Sequence, residues 1–148
     1  MQIPPLAQLI PILQTAIGPV ILISGIGLLL LTMTNRLGRV IDRARSLARE
    51  PLQADDSNRL KIEAQLRILW MRARLIRLAI VLSSMSALAA AVLVITLFFT
   101  ALLQIESGWI IGILFILCMG CLIGSLVVFI HDLNQSLAAL KLELDGSL

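Results

Sequence analysis

Cys118-Met-Gly-Cys121 is the stretch whose residue types and spacing best suggest redox or metal chemistry. Two thiols three positions apart can form a disulfide or supply half of a tetrahedral metal site. Here they fall near the middle of an uncharged apolar run, where a thiolate is badly solvated. The chain has no other cysteine, and its single histidine, His131, lies about 15 Å further along the same helix. The pair therefore reads as small packing residues, and no metal set can be assembled around it. One histidine also excludes a haem held by two. His131 and Asp132 close the run, and a lone interfacial histidine could sense pH; with no partner carboxylate expected for it, it reads as the marker of a span end.

Arginine is the other chemistry-bearing type. Ten arginines and one lysine fall between Arg36 and Arg77, which leaves only Lys141 elsewhere. Arg36, Arg39, Arg72, Arg74 and Arg77 stand closest to apolar runs and are expected to touch anionic lipid headgroups, at about 1 kcal/mol each. Arg49 and Arg59 would be some 20 Å further away and freer to meet a protein. Nucleic acid is not the expected partner, because Trp70 is the only aromatic residue interleaved with these cations. No nucleophile–base pair or carboxylate pair is evident, so an enzyme is not expected, and no cofactor is.

The elements that carry these residues follow from composition. The chain has 148 residues, 59% hydrophobic and 14% charged, against roughly a quarter charged in a soluble domain. Its mean hydropathy is +0.99, and a chain this short cannot hide so much apolar surface from water. Three stretches lack any ionisable side chain: 17–34, 78–103 and 109–130. A span needs about 20 residues to cross roughly 30 Å of hydrocarbon, and in lipid every backbone group must be paired internally, so the spans must be helices. The expected fold is an all-α membrane protein with three transmembrane helices.

Arginine placement gives the expected orientation. Met1 to Leu13 carries no Lys or Arg, which argues against a cleaved signal peptide. The cations lie between spans one and two, within reach of membrane ends, where the positive-inside bias acts. The amino terminus should be outside, the arginine loop and the tail in the cytoplasm, and the protein a multi-pass one of the inner membrane. The expected division is 6–34 for an N-terminal segment and span one, 35–77 for a cytoplasmic helical hairpin, 78–103 for span two, 104–108 for an outer turn, 109–130 for span three, and 131–148 for an amphipathic tail. Trp109 suits an outer interfacial anchor. Pro11 and Pro19 leave two readings of the first segment open: an interfacial Leu6–Thr15 before the span, or one long kinked helix.

The hairpin shows helical periodicity. Leu37, Val40, Ile41, Ala44, Leu47 and Ala48 share one face, and Pro51 should end that helix. After a turn in which Asp55, Asp56 or Ser57 can cap, Ile62, Leu66, Leu69, Ala73, Ile76 and Ile80 form a stripe running into span two. Glu63 and Arg67 are four apart in the favourable order. The tail repeats the pattern with Leu133, Leu137, Leu140 and Leu144, so its acidic residues Asp132, Glu143 and Asp145 should lie beside the basic hairpin.

Within the spans, Gly108, Gly112, Gly120 and Gly124 on span three, Ser83, Ala87 and Ala91 on span two, and Gly18 and Gly25 on span one are expected to pack helices, within the chain or in a homo-oligomer. The absence of charge in the spans argues against a proton-coupled transporter. Ser24, Thr32, Ser83, Ser84, Ser86, Thr96 and Thr100 could line an oligomeric pore, although such hydroxyls usually bond their own backbone.

The segments Pro19 to Leu31 and Thr34 to Leu47, with Asn35-Arg36 and Asp42-Arg43, and the block Leu66 to Ile80, with Arg72-Ala73-Arg74, resemble the bacterial membrane family known as domain of unknown function 2721. The resemblance covers about 6–130 and implies the same topology and a bacterial inner-membrane setting, with no activity attached. Two functions are expected on these grounds: a non-enzymatic scaffold or accessory subunit binding another protein through its cytoplasmic helices, or, alternatively, a small homo-oligomeric channel or transporter-like protein.

Overall fold

The structure, a computed structural model, describes the backbone of residues 6–49, 56–103 and 108–145, and side chains within 10–11, 14–49, 62–103 and 108–136. The described residues form three helices: α1 (Leu6–Arg49), α2 (Asp56–Leu103) and α3 (Gly108–Asp145). Each includes a stretch long and apolar enough to cross a membrane. With 44, 48 and 38 residues, each exceeds in length the roughly 30 Å of hydrocarbon it must cross.

Pro11 and Pro19 both lie inside α1, which is helical from Leu6 onward. A proline inside a helix removes one backbone donor, which a membrane helix tolerates when neighbouring groups take over the freed carbonyl. The capping candidate Asp55 and the outer turn 104–107 fall outside the described residues, as do the side chains of Leu137, Leu140, Glu143, Leu144 and Asp145.

Each helix contributes to two compact units. In the unit within Leu31–Val81 and Gly124–Leu148, Val40, Leu69 and Ile76 form a buried cluster, with Leu37, Ala44, Leu47, Ala73 and Ile80 against it. This is the periodic face of both hairpin stretches, with one correction: Ile41 and Ala48 are exposed. In the unit within Met1–Leu30 and Leu82–Ile123, Ala89, Ala90 and Cys118 cluster with Leu22 and Ile23.

Along each helix the buried positions recur at seven-residue steps: Ile26, Met33 and Val40 on α1; Ile76, Ser83 and Ala90, or Ala79, Ser86 and Leu93, on α2; Cys118, Ser125 and Asp132 on α3. A 3.5-residue period is the one at which helices pack knobs into holes. The outward residues are as apolar as the buried ones. Leu28, Trp109 and Ile116 are 69%, 70% and 71% exposed, an arrangement that water would penalise and lipid would not.

Candidate functional site: a buried carboxylate between two arginines

Asp132 is fully buried. It lies seven residues beyond Ser125, which is itself seven beyond Cys118, so the helical period turns it inward with them. Its neighbours are Arg36 of α1 and Arg72 of α2, so one carboxylate joins all three helices. Arg36 Nε lies 2.9 Å from Asp132 Oδ2, and Arg72 Nε lies 3.7 Å from Oδ1. Ser136, one turn on from Asp132, completes the cluster: Arg36 Nη2 donates to its Oγ at 2.8 Å, and Arg72 Nη2 donates to the same oxygen. The Arg36 guanidinium also lies over the Phe129 ring, 5.8 Å from its centroid, close enough for a cation–π attraction.

Two cations and one anion leave the cluster with an excess positive charge. The arginines keep partial water access, 17% and 22% of each side chain, while the carboxylate has none. Neither Asp132 oxygen, nor Arg72 Nε, has a hydrogen-bond partner of normal alignment among the described residues. The attraction is therefore mainly Coulombic, and it must offset the several kcal/mol that desolvating each ion costs. The arrangement fixes three helices at one point.

Uncharged pairings also join α2 to α3. Ser125 Oγ donates to the Ala79 carbonyl at 2.7 Å. In the other unit, Ser86 Oγ donates to the Cys118 carbonyl at 2.8 Å, and Cys118 Sγ returns a weak bond to the Ser86 carbonyl at 3.3 Å. Cys118 and Cys121 are both free thiols. Cys118 is thus a packing residue with a polar role that composition did not reveal. Ser24 and Thr96 bond their own helix four residues back, and Thr100 bonds three back. Ser83 and Ser86 are fully buried in the chain.

The arginines expected at headgroups separate into two groups. Arg36 and Arg72 turn in to Asp132, whereas Arg39, Arg74 and Arg77 are exposed. The small residues divide as well. Ser83 is buried, and Ala87, Ala91 and Gly124 are half-buried. Gly112 and Gly120 are exposed, and a Cβ added at either would meet nothing within 4 Å. Packing the chain's own helices is therefore not the role of those two glycines. The row that is buried follows seven-residue steps, and Gly120 sits roughly 200° round the helix from Cys118. His131 is exposed and contacts Gln135 at 3.0 Å; its neighbour Asp132 is the residue that matters. The clue to Asp132 was its seven-residue step from Ser125.

Three apolar helices with a buried ion cluster at the charged end of their spans define a multi-pass membrane protein. The family described as a protein of unknown function, DUF2721, matches residues 16–142, and the chain belongs to it. No curated protein and no solved structure matches the chain.

Proposed function

We propose that this protein is a non-enzymatic scaffold or accessory subunit of the inner membrane, with its amino terminus outside, that engages another protein through its cytoplasmic helices. The observation that carries this reading is the Arg36–Asp132–Arg72 cluster. Its chemistry is structural, and it ties α1, α2 and α3 together in a chain rich in exposed cations. Arg39, Arg43, Arg45, Arg49 and Arg67 are exposed, and the ion pairs of Asp132 among the described residues are with Arg36 and Arg72. A basic surface on a fixed frame suits an acidic partner, because cations that need no reordering lose less on binding. The orientation rests on the placement of eleven of the twelve Lys and Arg residues between spans one and two.

Gentle detergent extraction followed by mass measurement tests the reading. The expected result is a different protein co-purifying in stoichiometric amount and lost in the Arg45→Gln/Arg49→Gln variant. A symmetric homo-oligomer that passes ions in liposomes would replace the scaffold reading with a channel. Orientation is tested separately by placing a cysteine at Gln53: labelling by an impermeant thiol reagent from outside intact cells would reverse it.

A further inference from the structure

Arg74 and Arg77 stand on α2 just before its uncharged stretch begins at Leu78. Both are exposed, and among the described residues neither forms an ion pair with a carboxylate. They share two apolar hollows within one unit. The first, of about 420 Å³, is lined by Met71, Leu75, Leu78 and Val81 beside the two arginines. The second, of about 350 Å³, is lined by the same two arginines together with Ile41 and Trp70. The Arg74 guanidinium lies over the Trp70 ring, 5.8 Å from its centroid, a contact that orients the cation without neutralising it.

We infer that Arg74 and Arg77 form a binding site for the phosphate of an anionic glycerophospholipid, with one acyl chain lying in the hollow from Met71 to Val81. The hollow runs from Met71 past the two cations to Leu78 and Val81, so its far part lies at the start of the uncharged stretch of α2, where a lipid tail runs from its headgroup. Leu78 and Val81 are 47% and 48% exposed, so the hollow is open to such a chain. An apolar floor alone accepts any lipid tail. Guanidiniums in its lining, unpaired with any carboxylate among the described residues, select the anionic lipids, because their planar donors match phosphate oxygens. Arg36 and Arg72 do not compete, since both are engaged with Asp132. Free phosphate would use the cations but gain nothing from the hollow. The site does not depend on a protein partner.

Trp70 supplies the readout. In Trp109→Phe protein it is the sole tryptophan, and bromine atoms on a lipid tail quench its fluorescence at short range. Nanodiscs of phosphatidylcholine are doped with tail-brominated phosphatidylglycerol or tail-brominated phosphatidylcholine at equal mole fraction. Brominated phosphatidylglycerol should reach half-maximal quenching at a roughly tenfold lower mole fraction. Arg74→Gln/Arg77→Gln should abolish the preference, and Arg43→Gln/Arg67→Gln, at exposed arginines further from the apolar stretches, should retain it while removing the same charge. Equal quenching by the two lipids overturns the site and leaves the hollows to a protein segment. Equal loss in both double variants also overturns it, because bulk attraction would then suffice. Restoration of the baseline by millimolar inorganic phosphate would overturn the role given to the tail. The comparison between lipids needs no arginine variant, and helix content by circular dichroism shows whether the variants fold.

Discussion

Removing the Asp132 carboxylate would leave Arg36 and Arg72 facing each other across a site that water reaches only in part. Breaking one partner of a buried ion cluster typically costs about 3–5 kcal/mol. Partial arginine exposure places Asp132→Ala at the low end, about 3 kcal/mol, measurable as a shift in unfolding by denaturant in mixed micelles. Replacing the cluster as a whole (Arg36→Met, Arg72→Met and Asp132→Leu) should cost much less than the single change, because no uncompensated charge remains. Equal losses for the single and triple variants would mean that the residues act through packing alone. The Ser86 and Cys118 pairing belongs to a smaller class. Interhelical hydrogen bonds in membranes average about 0.6 kcal/mol, since the separated helices also find partners. Ser86→Ala should therefore shift stability several-fold less than Asp132→Ala.

At the scale of the helix, the seven-residue step decides which substitutions matter. Ala90 is 1% exposed on α2, so Ala90→Leu forces extra volume into a filled contact at a cost of about 1–3 kcal/mol. Gly120→Ala adds a methyl group where nothing lies within 4 Å and should change monomer stability by under about 0.5 kcal/mol. A larger loss confined to high protein-to-lipid ratio would place a second copy on that face. The helices and spans were legible because length and the absence of charge are properties of the sequence itself. The hairpin stripe through Leu69 and Ile76 was legible for the same reason, since its period is in the sequence. The placing of Asp132 beside the basic hairpin was also expected from the tail's stripe, but its complete burial between Arg36 and Arg72 was not. A charge at the end of an apolar run looks like a boundary, and only the distant arginines, brought near by packing, give it another meaning. The glycines misled in the opposite way: four-residue spacing implied a contact face, but Gly112 and Gly120 lie off the row that packs.

For the molecule as a whole, charge and apolar surface divide the work. Lipid covers residues such as Leu28 and Ile116, which are 69% and 71% exposed, while nearly all the basic residues lie in one connection between spans. Under the proposed orientation, moving arginines from that connection to the 104–107 link should invert or scramble the topology, read by the accessibility of a cysteine at Gln53. The meeting of Ser86 with Cys118 has a further consequence. Ser86 Oγ and Cys118 Sγ are 3.4 Å apart, and a disulfide needs sulfurs at about 2.0 Å. A single exchange, Ser86→Cys, would therefore put α2 and α3 one small side-chain adjustment from a covalent staple. Mild oxidation should then close a ring spanning both helices, visible as faster migration on a non-reducing gel and reversed by a thiol reductant.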